Sequence, residues 1–299
     1  MNAIEVTDLV FSYNKKQPIL QKVNMQIPQG GVYGFLGPNG AGKTTTLKLI
    51  LNLLKQRKKG TIKVLGNNID ASYPSYLNQI GSLIEEASVY HHLTAEENLK
   101  LWSNYHNKSK NRVEEVLEII GLSHASKKKV HAFSTGMKQR LGIGIAILHD
   151  PEILILDEPT NGLDPIGIED LRAVMKNFVA QGKTILLSSH ILSEVEKMVD
   201  HIGIIKNGNI IFEGTIQELN NRSMQASSLI VVVDDNEKAK KHLDDHFPTE
   251  IVNGQLRVSI TSKEDTNRIV RLIIDNDVSI HEVIQANDNL ETLFMKLAK

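Results

Sequence analysis

The sequence predicts an α/β core followed by a small α+β tail. Three observations carry this reading. A short apolar run leads through a glycine-rich loop into a helical stripe across residues 31–54. Two more apolar runs, 152–157 and 183–189, flank a helical stretch. Near residue 220 the composition changes and a new order of strands and helices begins. Strand, glycine loop and helix in succession begin a βα unit, and further strands alternating with helices extend it into a parallel sheet.

The elements follow in order. Val23, Met25 and Ile27 alternate with Asn24 and Gln26, the period of a half-buried strand. Residues 31–37 (GVYGFLG) have the length of a buried strand, and Leu47, Ile50, Leu51 and Leu54 then recur at helical spacing. Residues 94–148 read as helical. Thr94 and Glu97 are spaced as a capping box, and the stripe Val113, Val116, Leu117, Ile120 stops at Gly121. Residues 152–157 and 183–189 read as buried parallel strands. Between them Asp164 and Pro165 fit an N-cap and first helical residue, with Gly182 as the stop. Residues 202–213 form a hairpin pattern turning at Asn207-Gly208. Residues 220–228 are polar and unpatterned, a linker. The tail reads strand 229–233, helix 237–246, two strands within 250–260, helix 263–275, strand 278–284 and helix 290–297. That is the order of a split βαββαβ unit with one added helix.

Composition narrows the function classes. At ~150 residues per domain, 299 residues make one large domain or two. A hydrophobic fraction of 41% with 23% charged residues excludes disordered and collagen-like classes. Lys+Arg 34 against Asp+Glu 35 leaves no basic footprint for nucleic acid. With no cysteine there is neither a disulfide framework nor a Cys-based zinc site, which fits a reducing cytosol. The N-terminus lacks the basic and apolar regions of a signal peptide. The longest apolar run, 141–148, falls far short of the ~18 residues that span a bilayer, so a membrane role is expected to come through a partner.

Chemistry concentrates in three segments. Gly37-Pro38-Asn39-Gly40-Ala41-Gly42-Lys43-Thr44 fits G-x-x-x-x-G-K-[ST] without a mismatch, after a strand and before a helix. Glycines let consecutive amides turn inward on a phosphate chain, and the following helix adds its positive end. Lys43 can bridge the β- and γ-phosphates, and the Thr44 hydroxyl can ligate Mg²⁺. Thr45 completes the nucleotide-binding set. At 153–158, four apolar residues deliver Asp157 and Glu158 to a strand end, where α/β sheets bind ligands. Asp157 can orient Mg²⁺ and Glu158 can polarise the attacking water. Two acids at a strand end are common on their own, and the phosphate loop gives them meaning. About 20 residues before the acidic pair lies Phe133-Ser134-Thr135-Gly136-Met137-Lys138-Gln139-Arg140.

This segment resembles the LSGGQ signature of the ATP-binding-cassette (ABC) ATPases, with Phe133, Thr135 and Met137 departing from it. The resemblance implies that Ser134 and Gly136 face the γ-phosphate of ATP held by an opposite subunit. Ser134 also fits an N-cap. The other landmarks follow. Tyr13 stands where the family places an aromatic against adenine, although an edge-strand tyrosine is the default reading without the resemblance. His190 matches the switch histidine, and Asn161-Gly162-Leu163-Asp164 the loop that crosses the dimer interface, with helix N-cap a competing role for Asp164. Where the family has a Gln that touches Mg²⁺ and senses the membrane partner, this chain has Glu85. Its carboxylate can also ligate Mg²⁺ but adds charge beside the triphosphate. Glu85, LTAEENL (93–99) and FSTGMKQR (133–140) resemble the subgroup serving bacitracin- and lantibiotic-type peptide resistance. Lys127-Lys128-Lys129 reads as a solvated face, and His91-His92 as loop.

The resemblance spans 4–219 and implies a P-loop NTPase core with a small antiparallel β subdomain and a helical insert at about 86–150. Residues 229–299 form an accessory domain beyond the linker. It also implies ATP and Mg²⁺ as cofactors, a separate integral membrane permease, and a second ATP-binding subunit, an identical one fitting best because every catalytic position is present. The expected place is the cytoplasmic face of the membrane, with transport, leaning to export, as the function and no nucleic-acid partner. The alternative is a soluble cassette ATPase acting on ribosomes or DNA. It lacks the long coiled coil, paired cassettes or Cys zinc sites of those members.

Overall fold

A computed structural model describes residues 1–14, 17–54, 57–85, 87–225, 228–260 and 262–286. The helix expected at 290–297 lies outside them. The chain divides into two compact units, Met1–Thr215 and a second beginning at Ile216.

The first unit runs β1 (Asn2–Phe11), β2 (Leu20–Pro28), β3 (Val32–Leu36), α1 (Lys43–Ile50), β4 (Arg57–Val64), β5 (Asn67–Asn68), α2 (Ile69–Ser72) and β6 (Ile80–Leu83). It continues through α3 (Ala95–Tyr105), α4 (Lys110–Ile119), α5 (Thr135–Ile147), β7 (Ile153–Leu156), α6 (Pro165–Ala180), β8 (Thr184–Ser189), α7 (Leu192–Val195), β9 (His201–Lys206) and β10 (Asn209–Thr215). One sheet has the order β2-β1-β4-β5 and is antiparallel. The other has the order β10-β9-β3-β8-β7-β6. It is parallel from β9 to β6, and β10 folds back on β9 through the Asn207-Gly208 turn. The all-apolar β7 is completely buried, as a strand covered on both faces must be. Ile4, Leu9, Met25, Phe35, Leu47 and Ile62 are fully buried in the core that joins α1 to both sheets. Each such side chain contributes about 1.5–3 kcal/mol relative to exposure.

Local signals fix several ends. Thr94 and Glu97 form the capping box, with Glu97 N–H donating to Thr94 Oγ1 (3.1 Å) and Thr94 N–H to Glu97 Oε2 (2.7 Å). Asp164 caps α6 by accepting from Gly167 N–H at 2.8 Å, with Pro165 in the first turn. β6 was not apparent from sequence, because four residues containing Gly81 and Ser82 make a weak strand pattern. Its glycine has a packing reason: a Cβ on Gly81 would lie 2.1 Å from the Ala146 carbonyl oxygen of α5.

The second unit contains α8 (Ile216–Gln225), β11 (Ser228–Val233), α9 (Asn236–Leu243), β12 (Thr249–Val252), β13 (Gln255–Ser259), α10 (Lys263–Ile274) and β14 (Ile280–Ala286). Its sheet order β12-β13-β11-β14, antiparallel throughout, is that of a split βαββαβ unit. Leu229, Val231, Leu256, Val258, Ile269 and Ile273 form its own core. Much of the stretch read as linker, 220–225, continues α8. The helix is anchored by the fully buried Leu219, and its remaining polar residues carry no stripe by which it could be recognised.

Candidate functional site

Strand order assembles the site. β3, β8, β7 and β6 are neighbours pointing the same way, about 4.8 Å apart. Their C-terminal ends therefore set Gly37, His190, Asp157-Glu158 and Glu85 in a row along one edge of the sheet, the ligand-binding edge of such folds. Leu36 is in register with Ser189, and Leu156 with both Leu187 and Leu83.

The loop Gly37–Thr44 leaves β3 and turns into α1. Gly37 N–H donates to the Ser189 carbonyl (3.3 Å) and Ala41 N–H to the Pro38 carbonyl (3.1 Å), which closes the loop tightly. Gly42 sits at φ 112, a conformation open to glycine, and a Cβ there would meet Leu20 Cδ2 at 2.5 Å. The amides of Lys43, Thr44 and Thr45 open α1, so they lack intrahelical acceptors and carry the helix's positive end. No acidic residue sits in that first turn to compete for them. Asn39, Gly40, Thr44, Asn161 and His190 line a cavity of about 300 Å³ over this loop.

The polar side chains hold one another. Lys43, 5% exposed, donates through Nζ to the Gly37 carbonyl (2.7 Å) and pairs with Glu158 Oε1 at 3.1 Å. Glu158 Oε2 lies 2.8 Å from His190 Nδ1. A carboxylate only accepts, so Nδ1 carries the proton. Thr44 Oγ1 donates to Asp157 Oδ2 (2.9 Å) and Ser188 Oγ donates to Asp157 Oδ1 (2.5 Å). Glu158 adopts φ 48, left-handed for a non-glycine residue and costing about 1–3 kcal/mol. Its amide, carbonyl and carboxylate are all engaged, by Ser188, Asn161 and the Lys43–His190 pair, and these bonds hold the turn.

The remaining candidates lie around this cluster. Tyr13 is 58% exposed, packs edge-on against Phe11 (centroids 4.9 Å apart) and brings its hydroxyl within 3.5 Å of Thr45 Oγ1. Its open ring face is thus held beside the phosphate loop. Glu85 leaves the end of β6 and pairs with Lys48 of α1 at 2.6 Å. The carboxylate lifts the Lys48 ammonium above its ordinary pKa. Glu85, Thr135, Lys138, Asp157, Glu158 and Asn161 line a second cavity of about 560 Å³. Ser134 is exposed at the start of α5, where its hydroxyl accepts from Met137 N–H (3.2 Å) as an N-cap, with Gly136 half-buried behind it. Arg140, through Asp170 (3.2 Å) and the Ile120 carbonyl (3.2 Å), ties α5 to α6 and to the end of α4.

Sequence reasoning missed Ser188 and Lys48. The signal for Ser188 was a polar residue inside the apolar run before His190. Lys48 pairs with a residue 37 positions away, which no spacing rule reveals.

A phosphate loop at the end of a central parallel strand, with an acidic strand end beside it and a capped helix start on an insert, defines a P-loop ATPase of the cassette type. A family model described as ABC transporter matches residues 20–161. The chain is 41% identical over 300 residues to the bacitracin transport ATP-binding protein BcrA of Bacillus licheniformis, covering 98% of this chain and 96% of that protein. It is 45% identical over 210 residues to the lantibiotic transport ATP-binding protein SrtF of Streptococcus pyogenes, covering 70% and 90%. A solved ATP-binding subunit of an ABC transporter matches with a TM-score of 0.65 at 32% identity, covering 74% of this chain and 92% of that one. The cbiO1 protein of Clostridium perfringens, part of the cbiONQ transporter complex, matches at 0.68 and 27%, covering 73% and 90%. The chain belongs to the ABC transporter ATP-binding family, and its activity is ATP hydrolysis coupled to transport. The alternative of action on ribosomes or DNA finds no support in these relatives.

Proposed function

We propose that two copies of this chain close around two ATP molecules on the cytoplasmic face of the membrane. Their opening and closing drives a separate membrane-spanning permease that expels a peptide antibiotic of the bacitracin or lantibiotic kind. The observation that carries this reading is the division of the site. Lys43, Thr44, Asp157, Glu158, Ser188 and His190 form one connected network, while Ser134 caps its own helix from an exposed position. The charge that develops on a transferred phosphoryl group needs donors on every side. A two-fold pair brings the same two patches together twice, so each copy's Ser134 and Gly136 face the other's phosphate loop. Asp164, at the start of α6, stands beside that seam.

In this reading Lys43 and the amides of Lys43, Thr44 and Thr45 grip the phosphates, and Tyr13 stacks on adenine. Glu158 takes a proton from the attacking water, and His190 orients Glu158. Mg²⁺ fits the donors present: Thr44 Oγ1 and Asp157 are hard oxygen ligands already 2.9 Å apart. Mg²⁺ characteristically uses one or two carboxylates with substrate phosphates, not an all-protein cage. Among the described residues no group of three or more His, Cys, Asp or Glu forms such a cage. When bound, Mg²⁺ would neutralise charge on the β- and γ-phosphates, held by Thr44 and Asp157 with Glu85 as an added oxygen donor.

Among the described residues no helix is long and apolar enough to cross a membrane, so transport calls for a second protein. We assign the permease to a groove of about 650 Å³ beside Glu85, lined by Leu53, Leu77, Ile84, Trp102 and Tyr105, with Tyr105 76% exposed. Residues from Ile216 on serve as an accessory module. The bacitracin and lantibiotic relatives support the cargo class.

Glu158→Gln tests the enzymatic half of the reading. It should bind ATP, hydrolyse little and accumulate as a nucleotide-dependent dimer; wild-type turnover would remove Glu158 from its role. Expression with the permease in a sensitive bacterium tests the cargo. Growth should tolerate several-fold more bacitracin or lantibiotic, and unchanged tolerance to both would reject the class.

A further inference from the structure

Ser188 is the next-to-last residue of β8 and is fully buried between β3 and β7. Its hydroxyl makes two bonds, both to the acidic pair at the end of β7. It donates to Asp157 Oδ1 at 2.5 Å and accepts from the Glu158 amide at 2.9 Å. Thr44 occupies the other Asp157 oxygen. The orientation of the Asp157 carboxylate is therefore set from both ends, once by a residue of the phosphate loop and once by Ser188. The left-handed turn at Glu158 is held by the same hydroxyl. Serine is not required there for packing. A strand buried on both faces favours Val or Ile, and the neighbouring positions Ile185, Leu186 and Leu187 are all apolar. Ser189, equally buried, turns its hydroxyl to the backbone of Ile191, so the serine pair is not simply a shared backbone-bonding device.

We propose that Ser188 is the positioning residue for both acids of the site, one hydroxyl that couples the orientation of Asp157 to the turn that aims Glu158. This rests on the roles given above to Asp157 and Glu158. Removing the hydroxyl leaves a buried amide without its acceptor and a carboxylate oxygen without its donor. Asp157 is then free to rotate, and the Glu158 turn loses one of the bonds that hold it. The nucleotide grip through Lys43 and the loop amides does not pass through Ser188. The effect should therefore fall on turnover and on metal dependence and not on ATP binding as such. Residues that orient metal ligands typically alter metal affinity or activity by about 10–100-fold.

The test compares Ser188→Ala, Ser188→Val and Ser188→Thr in the full chain. Val and Thr share a shape and differ by the hydroxyl. Steady-state kinetics would be measured across a Mg²⁺ titration. ATP binding without metal, Mn²⁺ affinity in the presence of ADP by electron paramagnetic resonance, and melting temperature would be measured on the same samples. Ala and Val should lower kcat by about 10–100-fold, weaken Mn²⁺ binding by about tenfold and leave metal-free ATP binding within about threefold, with Thr restoring most of each loss. Wild-type turnover and Mg²⁺ dependence in Ser188→Ala would overturn the assignment. So would equal losses of metal-free ATP binding and melting temperature in Val and Thr, the mark of a purely structural serine. Glu158→Gln run alongside separates the failures. If it turns over normally, the reading of the acids falls and Ser188 with it. If it is inert while Ser188→Ala is normal, only the Ser188 assignment falls.

Discussion

Around the phosphate loop, side chains from two neighbouring strand ends, β7 and β8, and from α1 satisfy one another. Lys43 neutralises Glu158, Thr44 and Ser188 share Asp157, and His190 reaches Glu158 at 2.8 Å. At the start of α5, Ser134 accepts from Met137 of its own helix and faces outward. The first region is preorganised within one chain by strand order. The second is a rigid, capped helix end, carried on an insert that Arg140 fastens to its neighbours. Preorganised polar clusters suit chemistry, and a capped helix start suits an anion brought to it. The contrast fits the proposal of a site shared between two subunits and seen here from one of them.

The largest effect that sharpens this contrast should come from Lys43→Ala. It removes the charge proposed to grip the phosphates and leaves Glu158 without its cation. ATP binding by fluorescence titration should weaken by more than about 100-fold, with a lower melting temperature. Next comes Ser134→Asp. Aspartate caps a helix as well as serine, so melting should be unchanged, but a negative charge placed against a γ-phosphate should cut hydrolysis by about 100-fold. Ser134→Ala should cost about 1 kcal/mol of stability in addition to activity. If Ser134→Asp hydrolyses ATP normally, Ser134 is a cap and nothing more. Tyr13→Ala should raise KM for ATP by about 5–10-fold with kcat preserved, and Tyr13→Phe should match wild type, since a stacked base is worth about 1–3 kcal/mol.

The smallest effect concerns the groove assigned to the permease. His149 stacks on His106 with centroids 4.7 Å apart and lies 3.2 Å through Nε2 from the Ile80 carbonyl. Burial, and then the charge of His106, push its pKa down to about 4. The unfolded chain takes up that proton near 6.5. The stability His149 contributes is therefore complete above about pH 6.5 and is lost as pH falls towards 4. Replacing His149 with Gln should flatten the fall of melting temperature across that window, and an unchanged slope would assign the acid sensitivity elsewhere.

Much of this was legible in the sequence because the signals were local. The phosphate loop, the Thr94–Glu97 box, the Asp164 cap and the Asn207-Gly208 hairpin each state their geometry within a few residues. Strand order then set the phosphate loop, Asp157-Glu158, His190 and Glu85 along one edge. What stayed hidden depended on distance or on packing. Ser188 meets Asp157 from 31 positions away, and Lys48 meets Glu85 from 37. β6 is too short and glycine-containing to announce itself, and α8 is held by Leu219 where its polar composition suggested a linker.

Mixing two inactive variants tests the shared pocket most directly. In a pair formed from one Lys43→Ala copy and one Ser134→Asp copy, one pocket carries both defects and the other carries neither. Random pairing makes half of the dimers mixed, so ATPase activity should return to about a quarter of the wild-type rate, although each variant alone is inert. Failure of the mixture to hydrolyse ATP above the sum of its parts, under conditions where mixed dimers are shown to form, would contradict a site completed by a second copy.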